Sequence, residues 1–390
     1  DDSFWEKYLR NWFLKVLLKR KKVILFTFLL GGIGVFTAYN LKINNFILED
    51  LSNSDPVKKD VIYFEENYSG LRPFEAEITT KHPDGVLGYP FLSELNKLEI
   101  FLKENYTSEG VGFIISPLTF IKEANFVKKG SKPVNRILPK SERRLKSLLR
   151  QVGEGITRFG DLNVSSQLNT VAKDSMSCRL TGKIRDVGGL KIREANYNLD
   201  SYLKENINPE ILSIRLTGTA VLIDKNNATL ATNLIFGLVL AFAVIALVVG
   251  FMFKSIKISL LSLVPNVLPL LLVTSVMWLG DIDLKISTSL IFTLAFGIAV
   301  DDTIHLLSKY KLERKKGRTH LYALKRSYLS SGKAIIVTTL ILVGGFLTLL
   351  FSSFTSTFYM GLLVSFTLIG ALTLDLMIMP IIILYGLGKK

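Results

Sequence analysis

The sequence predicts an α-helical membrane protein with six transmembrane helices in a one-plus-five order. One large exported α/β domain of ferredoxin-like subdomains follows the first helix. Three observations predict this. Mean hydropathy is positive, and six apolar runs of about 20 residues recur, each long enough to cross about 30 Å of hydrocarbon as a helix. Only the stretch between the first two runs is long and polar enough to form a domain of its own. Finally, lysine and arginine gather at alternate helix ends.

Residues 1–22 open the chain as an amphipathic helix. Phe4/Trp5, Tyr8/Leu9, Trp12/Phe13 and Val16/Leu17 recur every four residues, and Lys7, Arg10, Asn11 and Lys15 fill the other face. Such a helix lies on the inner membrane surface with aromatics at headgroup depth, or packs on a partner domain. It is not a signal peptide, because the following span is too long and has no small-residue cleavage site. The first span covers 23–41.

Residues 42–230 alternate strand and helix. Pro73–Thr79, Val111–Ser116, Ser175–Ile184 and Ile211–Thr217 read as strands; Phe91–Tyr106, Ser141–Val152 and Leu190–Ile207 read as helices. Two such β-α-β groups suggest ferredoxin-like subdomains. Glycine and proline mark Lys128–Pro139 as a loop. Cys178 is the single cysteine, so no intramolecular disulfide is possible, and it reads as a buried strand residue.

Residues 231–390 hold the remaining spans, Leu234–Phe253, Ile258–Leu279, Ile286–Leu307, Ala334–Phe354 and Thr357–Tyr385, with a basic cytoplasmic loop at 308–333. Pro265 and Pro269 interrupt the third span as a kink or a hinge. Asn266 beside them reads as interhelical glue. Gly297, with Ala295 and Ala299, offers a small face for close helix packing.

Charge sets the orientation. Net charge is +15, yet residues 41–230 hold 27 Lys and Arg against 24 Asp and Glu. The excess therefore sits at helix ends and is no nucleic-acid signature. It concentrates at Lys19–Lys22, at Lys254 with Lys257, from Lys309 to Lys333 and at Lys389–Lys390; the opposite ends carry Asp281, Asp283 and an uncharged Ser352–Ser356. The positive-inside rule then puts both termini in the cytoplasm and 42–230 outside.

The chemistry concentrates at Asp301 and Asp302, fifteen uncharged residues after Lys285 in FGIAVDDTIHLLSKY. A carboxylate near a bilayer centre costs roughly 2.5–3.5 kcal/mol on insertion scales and marks an ion or proton relay by default. Asp301 lies about 12 Å from Lys309 along the helix at 1.5 Å per residue, too deep for its short side chain to reach the headgroups. Successive residues point about 100° apart, so the two acids are not expected to face the same groove; one should face the bundle centre and the other an adjacent helix. His305 falls at i+4 and i+3 from them. Low dielectric and a like charge make protonation of a carboxylate easier, which a proton carrier requires. Asp375, in ALTLDLMIMP, and Thr338-Thr339 are further relay candidates; each also fits a local helix bond or a structural pairing. With His82, His305 and His320 the only histidines, no metal-ligand spacing exists. No Walker motif appears, so ATP is not the energy source by that route. No cofactor is expected, and nothing suggests an enzyme.

Gly297-x-x-x-Asp301-Asp302 followed by Thr-Ile-His-Leu-Leu resembles the fourth-helix motif of one half of a resistance-nodulation-division (RND) superfamily exporter. The resemblance is closest to the MMPL and hopanoid-transporter-like branch, with Patched and sterol-sensing proteins as relatives. SLVPNVLPLLL, IIVTTLILVGGFLTLLFSSF and LTLDLMIMPIIIL are similar to that family's third, fifth and sixth helices. The resemblance implies a proton-driven transporter in a bacterial inner membrane, whose exported domain receives lipid or another hydrophobic molecule. It carries the relay acid onto Asp301; Asp302 stands where many members have Tyr or Asp. Full transporters of this class have two such halves. The chain is therefore expected to be the C-terminal half of a longer protein, or a half-size protein that dimerises.

One proton falling through 100 mV supplies about 2.3 kcal/mol, whereas exposing an acyl chain costs roughly 0.8 kcal/mol per CH₂. A lipid exporter must therefore shield its cargo and use the proton to bias a conformational equilibrium. Two alternatives share the layout. One is a SecD/SecF-like accessory of protein translocation, which the IHLLSKY helix end, lacking a Glu-Arg pair, argues against. The other is a sterol- or lipid-sensing module that does not pump.

Overall fold

The computed structural model describes residues 4–47, 49–52, 55–158 and 170–387. The chain divides into two compact units: a helical one of residues 1–45, 49–52 and 227–390, and an α/β one of residues 46–48 and 53–226.

In the helical unit, α1 (Phe4–Leu18) leads into α2 (Arg20–Tyr39). After the α/β unit come α8 (Thr219–Phe253), α9 (Ile256–Leu279), α10 (Ile286–Lys315), α11 (His320–Leu347) and α12 (Thr355–Leu387). Six of the described helices, α2 and α8 to α12, are long and apolar enough to cross a membrane, and they correspond one for one to the six apolar runs. The last of them, α12, is the most buried and packs on α9, α10 and α11; α8 is the least buried. Pro265, Pro269 and Pro380 lie inside continuous helices.

Glycine sets the closest approach between α2 and α9. A Cβ on Gly34 would lie 2.4 Å from the Leu271 side chain, so only glycine lets these backbones meet. Thr37 Oγ1 lies 3.0 Å from Ser275 Oγ one turn further on. Gly297, expected to serve such a contact, does not: a Cβ there would meet nothing within 4 Å. Buried Ala295 and Ala299 carry the packing of α10, and a residue two positions from either points about 200° away.

Two expectations at the basic end change in a similar way. The apolar stripe of α1 is only partly free for lipid, since Leu9, Phe13 and Val16 are buried among residues of α11 and α12, with the Phe13 and Tyr328 rings 5.0 Å apart. Trp5, Tyr8 and Leu14 stay exposed. The basic stretch 308–333 is no open loop: α10 runs to Lys315 and α11 begins at His320. Glu313, buried to 1% exposure, explains the tight turn by drawing in Arg318, Lys316 at 3.6 Å and Arg326 at 3.6 Å.

The α/β unit has β1 (Arg72–Thr79), β2 (Phe113–Ile115), β3 (Ser177–Ile184) and β4 (Ser213–Thr217). Its helices are α3 (Pro56–Asn67), α4 (Tyr89–Asn105), α5 (Pro117–Lys128), α6 (Glu142–Arg158) and α7 (Gly188–Asn206). All strand pairs are antiparallel in the order β2-β3-β1-β4. The two β-α-β groups thus interleave in one ferredoxin-like sheet rather than building a sheet each. Strand alternation decides its faces: Phe74, Ala76 and Ile78 pair in register with Gly182, Leu180 and Cys178 on the buried side, against Leu95, Leu98 and Leu102 of α4. Glu75–Arg179 at 2.5 Å and Glu77–Arg215 at 2.6 Å line the other face. Cys178 is a buried strand residue as expected, and burial pushes its thiol up to about 12. α3 and α5 are not among the helices expected from the sequence; proline at the first turn and the Asp55 and Ser116 caps start them.

Arg72 is buried to 1% exposure although it opens a strand. Its guanidinium reaches Asp186 at 3.3 Å and also pairs with Asp224, while the Ile47 N–H donates to Asp186. A buried guanidinium needs such partners, and this one joins the sheet to the start of α8.

Candidate functional site

The acids of α10 sit in a groove of about 630 Å³ between α10 and α11. Its polar lining includes Asp301, Asp302, His305, Ser331, Thr338 and Thr339, and it extends along α10 as far as Lys309 and Leu312. The expectation that the two acids face different neighbours is corrected. Both line this groove, Asp302 from its inner wall at 8% exposure and Asp301 from its rim with a side chain 71% exposed. Neighbouring positions 100° apart can both border a groove this wide.

His305 pairs with Asp301, its Nε2 lying 3.4 Å from Asp301 Oδ1 one helical turn away. The arrangement is an ion pair when the imidazole is protonated. Opposite, Thr338 Oγ1 lies 3.0 Å from both the Ala334 and the Ile335 carbonyl oxygens and donates to one of them, the local helix bond that its sequence context allowed, while still lining the groove. Thr339 is buried beside it at 2% exposure.

Asp375 is not a groove residue. It lies at 1% exposure inside the bundle, within electrostatic reach of Asp302. What it touches is Thr303, which no relay expectation included. Thr303 Oγ1 stands 3.1 Å from Asp375 Oδ1 and 3.2 Å from Asn266 Oδ1. Asn266 donates its amide to the Ser262 carbonyl at 2.9 Å, which turns its oxygen toward Thr303. Asn266 is thus interhelical glue, as its place in the third span suggested. A threonine hydroxyl carries one hydrogen, so it donates to one of these oxygens only. The three-membered array closes completely when Asp375 carries a proton on Oδ1 and donates it to Thr303. Among the described residues, Asp375 Oδ2 is buried with no hydrogen-bond partner.

Two signals in the sequence pointed to the residues that were missed. Thr303 directly follows the acid pair, and Ser331 precedes Thr338 by seven residues, two turns on one face. Among the described residues, no group of three or more His, Cys, Asp and Glu could hold a metal ion.

Comparison with known proteins gives three findings. The model of the MMPL family matches residues 140–390. A Methanocaldococcus jannaschii protein named as a membrane protein is 22% identical over 364 residues, covering 90% of this chain and 87% of its own. Among solved structures, SecDF in its super-membrane-facing form aligns with a TM-score of 0.40 and 14% identity over 56% of this chain. The chain spans only 29% of the SecDF chain.

Proposed function

Because the chain belongs to the MMPL family of membrane-embedded RND-type transporters, we propose that it is one six-helix unit of a proton-driven transporter that moves lipid or another hydrophobic molecule out of the inner membrane. The observation that carries this reading is the groove in which Asp301, Asp302, His305, Thr338 and Thr339 meet. Intramembrane ionisable groups are costly and persist where they serve ion or proton movement. The groove's course toward Lys309 offers protons a route between mid-membrane and the basic, cytoplasmic end. Asp302, backed by Asp375, is the acid whose charge the bundle shields; Asp301 with His305 is the acid that meets incoming protons at the rim. Proton binding shifts the packing of α10 against α11 and α12 and so biases one conformation over another.

The open rim at Asp301 and His305 supports a second six-helix unit across the groove, another half of the same protein or a second copy. With the basic helix ends inside, the α/β domain is exported and shields the apolar cargo from water.

The test is proton flux and fluorescent-lipid translocation in proteoliposomes carrying an imposed pH gradient. Asp301→Asn and Asp302→Asn should each bring gradient-driven translocation to background while the protein stays folded. Undiminished proton-dependent transport in both variants would overturn the relay.

A further inference from the structure

A second groove, of about 830 Å³, lies between α2, α9 and α12 and is lined almost wholly by apolar side chains, among them Leu268, Leu271 and Ile381. We propose that this groove holds one acyl chain of an anionic glycerophospholipid, with the phosphate held by Arg20 and Lys257 at its basic end. The proposal rests on the chain being membrane-embedded and not on the proton relay.

Three observations carry it. The first is length: on α2 the lining runs from Val23 to Val35, about 18 Å at 1.5 Å per residue. One leaflet of a hydrocarbon core about 30 Å thick is about 15 Å deep, so the groove matches one acyl chain from one leaflet.

The second is charge. Arg20 stands one turn before the lining residue Ile24, and Lys257 one turn before the lining residue Leu261. Residues four apart share a helix face, so two helices each place a cation at the same end of the groove. Both side chains are exposed, and the Arg20 guanidinium lies over the ring of the lining residue Tyr385, 5.5 Å from its centroid. A guanidinium so placed presents its donors to a phosphate at the mouth.

The third is Gly32. Glycine is a poor helix former, and Gly34 is explained by its contact with Leu271. Gly32 has no such reason: a Cβ there would meet nothing within 4 Å, because the position opens onto the groove. It leaves room for something other than this chain.

The experiment is native mass spectrometry of the full chain released from vesicles of equal parts phosphatidylcholine and phosphatidylglycerol. Near-surface cations each favour an anionic headgroup about fivefold, so the wild-type chain should retain phosphatidylglycerol about twenty-five-fold over phosphatidylcholine. The double substitution Arg20→Gln, Lys257→Gln should bring the two close to parity. Gly32→Phe, which fills open space, should remove the retained lipid. Equal retention of both lipids by the wild type would overturn the proposal. So would full phosphatidylglycerol retention by Gly32→Phe, or a dimer that Gly32→Phe disrupts without changing the lipid. Should Gly32→Phe fail to fold, the charge variant decides alone.

Discussion

The hydroxyl of Thr303 on α10 lies 3.1 Å from Oδ1 of Asp375 on α12, deep in the helical bundle. The same hydroxyl reaches Asn266 on α9 at 3.2 Å, so one side chain links three helices. Thr303→Val removes both contacts and leaves two buried oxygens unsatisfied. It should destabilise the bundle by roughly 1–3 kcal/mol, read as a lower midpoint in detergent unfolding, whereas Thr303→Ser should stay near wild type. Equal stability of the Val variant would show that the array contributes nothing.

Asp375→Asn tests the proton on that array. An asparagine amide can donate to Thr303 as a protonated carboxyl does, so stability should hold while gradient-driven transport falls to background. Asp375→Leu should lose both. Full transport by the Asn variant would leave Asp375 a purely structural residue.

At the groove rim, Asp301 is paired with His305 at 3.4 Å. His305→Gln removes the partner of Asp301 and should keep the fold while lowering transport partially, by severalfold. Lipid translocation unchanged from wild type would remove His305 from the mechanism.

Arg72 in the α/β unit predicts a different outcome. Arg72→Met removes the guanidinium that Asp186 and Asp224 share. Breaking a buried pair from one side costs about 3–5 kcal/mol, so hydrogen exchange of β1 and β3 should accelerate by more than a hundredfold.

Cys178 supplies a probe of the same sheet. With its thiol at about 12, the thiolate is roughly one part in ten thousand at pH 8, and the side chain is buried. Maleimide should label the native chain negligibly at pH 8 and rapidly once it is unfolded. Labelling should rise with pH in the native state, because a raised folded value keeps the neutral thiol below it. Rapid native labelling at pH 8 would mean that the sheet opens there.

The sequence by itself determined the six spans, the four strands and helices α4, α6 and α7 of the α/β unit, the position of the acids on α10 and the resemblance to the family. Each of these rests on a local quantity: apolar run length, period-two or 3.6 spacing, or a short motif around Asp301. Only the tertiary structure decided which polar residues meet. It placed Asp301 and Asp302 on one groove, assigned Asp375 to Thr303 and Asn266, left Gly297 facing open space and gave close packing to Gly34. It also joined two β-α-β groups in one sheet and seated half of α1 on the bundle. Helical periodicity fixes a residue's direction about its own axis, but the neighbour it meets depends on how α9, α10, α11 and α12 are rotated and set against one another. That rotation follows from the summed packing of many apolar side chains, to which no single position in the sequence points.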